Sequence, residues 1–276
     1  MQKDPKERGV EENLHEDSIG HDIGENVQQA IEQVQQEVTR SREPWYRVSK
    51  RARILIGAYA IGFGLFILLA WFVTIHPILP VDIAITHEFQ ENKSPWLSSL
   101  MIAVSYLGSH FIIFTILILL TASAFWIVRL RLEAVLIVAL SAINAPLNVL
   151  IKLLVSRPRP TSKLVAILQG ASGTSFPSGH VMSYVAFFGL LFSLSLILFK
   201  WRRVWCYVLM TISALFVMLV GPSRIYLGDH WASDVLGGYL FGSLLLGISL
   251  WIYLKLKERG VLALKVKPKG EDGVMA

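Results

Sequence analysis

Residues 180–199 read HVMSYVAFFGLLFSLSLILF, and this stretch decides the class of fold. It contains no Asp, Glu, Lys or Arg, and its one histidine, His180, stands at the first position. An apolar segment of about 20 residues can cross the hydrocarbon core of a bilayer as one α-helix, in which the backbone hydrogen bonds are satisfied internally. The stretch therefore predicts a transmembrane helix with an imidazole at one end.

Five other segments have spanning length and a similar composition, if glycines and single polar residues are accepted within them. Hydrophobic residues make up 54% of the sequence and charged residues 17%, which is far more apolar than an average soluble domain. We therefore expect an all-α, polytopic membrane helix bundle with six transmembrane helices. Residues 80–107, between the first two spans, are expected to form a short interfacial helix and a loop. The other five predicted spans are 53–75, 108–128, 132–152, 203–221 and 231–254.

The distribution of lysine and arginine predicts the orientation of the bundle. Basic residues cluster before span one and after spans two, four and six, whereas residues 76–107 contain one lysine. Cytoplasmic connections carry an excess of such residues, so both termini are expected in the cytoplasm of a multi-pass protein of the cell membrane. The basic residues concerned are Arg47, Lys50, Arg51, Arg53, Arg129, Arg131, Lys200, Arg202, Arg203, Lys255, Lys257 and Arg259.

Two polar segments flank the predicted membrane domain, which we place at residues 51–257. Residues 1–50 are expected to be a partly disordered cytoplasmic segment with a short amphipathic helix at Asn26–Thr39, and 258–276 a basic cytoplasmic tail. Eleven of the twenty acidic residues precede Pro44, so the net charge of +6 reflects an uneven distribution along the chain. We therefore do not read it as a nucleic-acid footprint and expect no nucleic-acid partner.

Two segments on the predicted outer face, 153–179 and 222–230, contain or adjoin more basic residues than that orientation favours. Positive charge kept on this face needs a separate reason, and binding of an anionic substrate provides one. The residues are Lys152, Arg157, Arg159, Lys163 and Arg224.

Three short motifs lie at this same face. The first, KLLVSRPRP at 152–160, closes span three, and the second, FPSGH at 176–180, opens span four. A helix N-terminus attracts phosphate through its unpaired backbone N–H groups and the positive end of its dipole. The third, SRIYLGDHWASD at 223–234, leads into span six and places His230 and Asp234 four residues apart, as on one helical face.

The three motifs resemble the signatures of the type 2 phosphatidic acid phosphatase superfamily. These are Lys, six residues, Arg-Pro; then Pro-Ser-Gly-His; then Ser-Arg, five residues, His, three residues, Asp. Every position is matched here, and the resemblance covers about Arg53 to Leu256. It implies a six-helix core with its active site at the extracytoplasmic membrane face.

The resemblance also implies a role for each motif residue. Lys152, Arg159 and Arg224 would hold the phosphate oxygens, together with the Ser178 hydroxyl and the Gly179 backbone N–H. Their charge would stabilise the phosphoryl group as it becomes five-coordinate.

Three further motif residues would carry out the covalent chemistry. His230 would attack phosphorus and form a phosphohistidine, with Asp234 orienting its ring. His180 would protonate the leaving alkoxide and then deprotonate the hydrolytic water.

The expected activity is hydrolysis of a lipid phosphomonoester, such as phosphatidic acid or phosphatidylglycerol phosphate, or of a polyprenyl diphosphate. No cofactor or metal is expected, and the single cysteine, Cys206, cannot form an internal disulfide or a cysteine-based metal site. Two alternatives remain from the sequence. One is an oxidoreductase like the vanadium-dependent haloperoxidases, in which the residue matching His230 binds vanadate, and the other is a non-catalytic membrane scaffold or transporter.

Overall fold

The computed structural model describes residues 49–92, 94–198 and 204–262, and these residues form helices and no strand. The predicted helix at Asn26–Thr39 and nearly all of both polar tails lie outside them. The helices are α1 (Ser49–Ile75), α2 (Pro80–Glu91), α3 (Pro95–Ser109), α4 (Phe111–Ile127), α5 (Arg131–Val155), α6 (Gly179–Leu198), α7 (Val204–Tyr226) and α8 (Ala232–Glu258).

Among the described residues, five helices are long and apolar enough to cross a membrane, namely α1, α5, α6, α7 and α8. Helices α3 and α4 meet this criterion only as a pair, and the pair is bent by 74° at the break between them. The structure therefore has five candidate spans, or six if the bent pair counts as one. This confirms the predicted all-α, polytopic membrane bundle.

The interval 80–107 differs from its prediction, because it forms two helices and not one short helix with a loop. Each helix has a proline at its first position, where the missing N–H costs no hydrogen bond. The buried residues of α2 are all polar, and α3 also buries a serine. A search for apolar periodicity misses helices of this kind. The buried polar residues are Asp82, Thr86, Gln90 and Ser105.

Helix α6 is the central helix of the bundle. In its apolar stretch 67% of the residues are buried, whereas in the other four helices long enough to cross a membrane the buried share is at most 22%. It packs against α5, α7 and α8 and also touches α3. Aromatic rings fill the space around its middle, where Phe188 stacks on Phe216 of α7 at a centroid distance of 4.5 Å. A π-helical turn at Val185–Gly189 widens α6 at this point. Such turns occur frequently at functional sites.

Small residues bring α8 close to α6. A Cβ on Gly238 would lie 2.9 Å from Val181 and 3.0 Å from the Ser178 carbonyl oxygen, and one on Gly242 would lie 3.2 Å from Val185. Glycines four residues apart allow helix backbones to approach closely in membranes. The Ser178 N–H accordingly donates to the Asp234 carbonyl oxygen at 3.0 Å, which joins the second motif to the third.

Candidate active site

His230 lies in the short connection between α7 and α8 and is 2% exposed. Its Nδ1 is 3.5 Å from Asp234 Oδ2, and its Nε2 is 3.4 Å from Arg159 Nη1. In the neutral tautomer with the proton on Nδ1, that nitrogen faces the carboxylate across 3.5 Å, and the lone pair of Nε2 faces Arg159 Nη1, which can donate a long hydrogen bond to it. This is the protonation pattern that a nucleophilic imidazole requires.

The spacing of His230 and Asp234 suggested one helical face, but only Asp234 lies on the helix. Helix α8 begins at Ala232, so His230 precedes the helix and Asp234 lies in its first turn. There Asp234 Oδ2 accepts a hydrogen bond from the Trp231 N–H at 3.0 Å, as in a capping box. The carboxylate thus fixes the start of α8 and faces His230 at the same time.

Arg159 fixes the backbone around His230. Its Nη1 donates to the Asp229 carbonyl oxygen at 2.7 Å, and its Nε donates to the Ser172 carbonyl oxygen at 3.1 Å. The guanidinium joins two loops and stays beside His230 Nε2. A phosphate on Nε2 would therefore meet a donor that already has its orientation.

Arg224, at the end of α7, is buried and paired. It forms an ion pair with Asp229 and donates a hydrogen bond to the Ser105 hydroxyl of α3. Within the described residues, no hydrogen-bond partner occupies its Nε. Arg224 therefore combines a fixed orientation with a free donor.

Lys152 reaches the loop that precedes α6. Its Nζ donates to the Thr174 carbonyl oxygen at 2.6 Å and to the Ser175 carbonyl oxygen at 3.2 Å. An ammonium has three donors, so one stays available for a further acceptor. The lysine therefore connects the first motif to the second and keeps its charge at the site.

The start of α6 holds Ser178 and Gly179. The Ser178 hydroxyl is buried and, among the described residues, has no hydrogen-bond partner. Asn148 of α5 supports this turn, because its Nδ2 donates to the Pro177 carbonyl oxygen at 3.2 Å. A Cβ at position 179 would lie 2.9 Å from Asn148 Oδ1, so a larger residue here would displace the Asn148 amide.

His180 contacts polar groups that the motifs did not identify. Its Nε2 is 3.1 Å from the Ser109 hydroxyl, which donates to the Ser105 carbonyl oxygen and accepts from Gln169 Nε2 at 3.1 Å. The Ser109 hydroxyl can accept from a protonated Nε2 or donate to an unprotonated one, because the direction of this hydrogen bond depends on the tautomer of His180. The contact therefore holds the imidazole in both protonation states, which suits a residue that gives up a proton and then takes one back.

Burial and nearby charges shift the pKa values of the site residues that lie outside the membrane-spanning helices. Burial is the largest cause that lowers the pKa of His230 well below 6.5, followed by the charges of Arg159, Arg224 and Lys152. The imidazole is therefore neutral at neutral pH and its lone pair is available. Burial also raises the pKa of Asp229 and lowers that of Arg159, while the attraction between the two charges opposes both shifts.

The structure thus brings together all eight residues that the motifs predicted. They lie around His230 and His180 at the ends of α5, α6 and α7 and the start of α8. The sequence profile of the family described as the PAP2 superfamily matches residues 132–258, which contain all three motifs. A crystal structure described as that of the first transmembrane PAP2 type phosphatidylglycerolphosphate phosphatase from Bacillus subtilis aligns with a TM-score of 0.63 and 27% identity, covering 72% of this chain and 96% of that one.

Residues 132–258 of the chain are therefore similar to the PAP2 superfamily, and this similarity includes the three motifs. Among curated proteins, it is 28% identical over 187 residues to phosphatidylglycerophosphatase B of Bacillus subtilis (strain 168), which covers 66% of this chain and 88% of the relative. It is also 36% identical over 75 residues to the putative undecaprenyl-diphosphatase YbjG of Escherichia coli (strain K12), covering 27% of this chain and 33% of the relative.

Several residues of the candidate site lie outside the three motifs. Helix α3 contributes Ser105 and Ser109, the loop before α6 contributes Gln169, and α5 contributes Asn148. Only Asn148 had a visible signal, as a polar residue within an apolar span, and such residues commonly make contacts between membrane helices. The short polar side chains of α3 gave no comparable signal.

The donor set of the candidate site consists mainly of cations and hydroxyls, which bind phosphate oxygens directly. Among residues 49–92, 94–198 and 204–262, no group of three or more His, Cys, Asp or Glu side chains is arranged to hold a metal ion. Independence from metals stays a prediction of the sequence. The arrangement can orient a phosphate, attack it from His230 and supply a proton from His180.

Proposed function

We propose that this protein is a member of the PAP2 superfamily that hydrolyses a membrane lipid phosphate through a phosphohistidine intermediate. The observation that carries the proposal is the position of His230 Nε2, whose lone pair faces the guanidinium of Arg159 at 3.4 Å, where a phosphate on Nε2 would meet the same donor. Lys152 and Arg224 act on the same imidazole through their charges. The substrates we propose are phosphatidic acid, phosphatidylglycerol phosphate or a related phosphomonoester, or a polyprenyl diphosphate. Two of these substrate classes appear in the names of the relatives, one a phosphatidylglycerophosphatase and the other a putative undecaprenyl-diphosphatase.

The proposed reaction has two steps. In the first, the lone pair of His230 Nε2 forms a bond to phosphorus as the bond to the leaving oxygen breaks, and His180 gives its proton to that oxygen. In the second, His180 takes a proton from water, whose oxygen attacks phosphorus and releases inorganic phosphate from His230. Asp234 stabilises the imidazolium that exists between the steps.

The phosphate oxygens would be held by Lys152, Arg159 and Arg224. Arg159 and Arg224 each have a fixed guanidinium, which lowers the cost of organising them as charge develops. The unpartnered hydroxyl of Ser178 and the backbone N–H of Gly179 add neutral donors at the start of α6. Such a set stabilises the five-coordinate transition state more than the bound ester.

Lipid substrates are expected to react more efficiently than soluble ones, because the motif residues lie at the ends of apolar helices. A lipid can keep its chains in the bilayer while its phosphate reaches His230. Phosphatidic acid and glycerol 3-phosphate differ only in the acyl chains, so they form a matched pair. We expect kcat/KM to be at least about a hundredfold higher for phosphatidic acid, equivalent to roughly 2.7 kcal/mol of transition-state binding.

The measurement is released phosphate from both compounds in one bilayer or detergent system, in excess EDTA. Phosphatidylglycerol phosphate and a polyprenyl diphosphate assayed in the same way rank the substrate classes. Equal efficiency on the matched pair would show that membrane placement does not determine substrate choice. Dependence on added Mg²⁺ would contradict the metal-free mechanism.

We further propose that both termini lie in the cytoplasm and that the site opens on the outer face of the cell membrane, as the positive-inside rule favours. In a Cys206→Ser background, a cysteine at residue 170 should react with an impermeant thiol reagent in intact cells. A cysteine at Glu258 should react only after the cells are permeabilised. The reverse pattern of labelling would refute this orientation.

A further inference from the structure

Arg157 is a second arginine of the 152–160 segment, matches no motif position, and is almost completely buried at 1% exposure. Its Nη1 donates to Asp234 Oδ1 at 2.6 Å, and its Nη2 donates to Asp82 Oδ2 at 2.7 Å. Both carboxylates are buried as well. Arg157 therefore joins the carboxylate that faces His230 to a carboxylate on α2.

Asp82 also binds the start of α8. Its Oδ1 accepts a hydrogen bond from the Ser233 N–H at 2.9 Å, and its Oδ2 accepts one from the Ser233 hydroxyl at 2.6 Å. Ser233 lies in the first turn of α8, where backbone N–H groups have no partner within the helix. Asp82, on α2, thus caps the start of α8 by binding Ser233, which immediately precedes Asp234 in the sequence.

The loop around Arg157 is fixed to the same place. Arg157 Nε donates to the Pro77 carbonyl oxygen at 2.9 Å, and its guanidinium lies 6.0 Å from the centroid of the Trp231 ring. The Trp231 indole N–H in turn donates to the Pro158 carbonyl oxygen at 3.1 Å. One connected network of hydrogen bonds therefore joins the loop at Arg157 and Pro158 to Trp231 and Asp234, which follow His230 in the chain.

We propose that Asp82 and Arg157 are positioning residues for the nucleophile, and that Asp82 supplies the negative charge that Arg157 would otherwise cancel. This inference rests on the proposed phosphohistidine mechanism. Asp234 and Arg157 alone form a neutral pair, and such a pair does little to stabilise a cation on His230. With Asp82 the cluster carries a net charge of −1. In a buried site of low effective dielectric, that charge favours the phosphorylated imidazolium.

The test replaces Asp82 by asparagine, which has nearly the same shape. Asp82→Asn leaves Arg157 paired with Asp234, so no buried charge is left without a partner, although one acceptor is lost. We expect kcat to fall about tenfold or more and the single-turnover phosphorylation of His230 to slow by a similar factor. The inhibition constant for inorganic phosphate should change less than about twofold, because Lys152, Arg159 and Arg224 are untouched.

Two control variants separate charge from stability. Glu133→Gln disrupts a buried contact with Lys257 and Tyr253 of α8, away from the motifs, and should leave kcat unchanged even if the protein unfolds at a lower temperature. Ser233→Ala removes hydrogen bonds from the Asp82 cluster but keeps its charge, and it should lose clearly less activity than Asp82→Asn.

Wild-type phosphohistidine formation is measured first, and its absence would refute the proposed function independently of Asp82. Given that intermediate, three results would overturn the present inference. They are wild-type kcat in Asp82→Asn, equal losses in Asp82→Asn and Ser233→Ala, and a loss that appears only in the phosphate inhibition constant. A reduced kcat with unchanged phosphate binding would support it.

Discussion

His230→Ala is expected to abolish phosphate release, with a loss in kcat of at least about ten-thousandfold, or roughly 5.5 kcal/mol. Among the described residues, the lone pair of His230 Nε2 lies beside Arg159. Alanine has no group that could replace this lone pair as the nucleophile. The measurement is phosphate released from phosphatidic acid by purified protein, with the helical content and the unfolding temperature determined in parallel. Residual activity near the wild-type level in a folded variant would refute His230 as the nucleophile.

Replacement of His180 should give a different defect, because His180 acts on protons in both steps. With a p-nitrophenyl ester, the leaving group departs without a proton, so His180→Ala should still phosphorylate His230. Hydrolysis of the intermediate should then be slow. We expect one equivalent of p-nitrophenol per enzyme followed by little turnover, with phosphate bound to the protein. Full turnover in this variant, or no burst at all, would contradict the assigned role.

The sequence predicted the bundle and the eight motif residues because those features are local. A span is recognised from one run of apolar residues, and each motif occupies one end of one span. The orientation of His230 against Asp234 is not local. It depends on where α8 begins, and that start is fixed by contacts from Arg157 and from Asp82 on α2.

Helices α2 and α3 were the main failure of the sequence prediction, and the reason is physical. Their inward faces carry residues such as Asp82, Gln90 and Ser105, which bind other parts of the protein through hydrogen bonds. Methods based on apolar periodicity assign such residues to the solvent. Their partners lie more than 70 residues away in sequence, so no spacing rule connects them.

Asn144 and Asn148 illustrate the same limit within a span that was predicted correctly. They flank Pro146 within this helix, a position at which side-chain amides can cap a kink. In the structure, Asn144 donates to the Ser183 hydroxyl and Asn148 to the Pro177 carbonyl oxygen, both outside α5. Polar residues within an apolar span need hydrogen-bond partners, but the sequence does not identify those partners, which lie on α6 and in the turn before it.

Gly108→Ala is expected to reduce kcat/KM by at least about a hundredfold, although the change adds one methyl group far from the motifs in sequence. A Cβ at this position would lie 2.3 Å from His180 Cδ2 and 3.0 Å from both His180 Nε2 and Tyr184 Cε2. The imidazole is the movable end of a side chain, so the fold can survive while the ring is displaced. Displacement of a catalytic group by about 1 Å can cost about a hundredfold in rate.

The stability of Gly108→Ala distinguishes this explanation from misfolding. Alanine favours helix over glycine by roughly 0.5–1 kcal/mol, which offsets part of the crowding in α3. The Tyr184 hydroxyl, which accepts from the Gly108 N–H at 3.1 Å and donates to the Val104 carbonyl oxygen at 2.5 Å, should stay in place. Gly64→Ala in α1, where an added Cβ meets no atom within 4 Å, is the matched control and should keep wild-type activity. If Gly108→Ala unfolds at a temperature close to that of Gly64→Ala but hydrolyses lipid phosphate as fast as wild type, then the position of His180 against α3 does not limit the reaction.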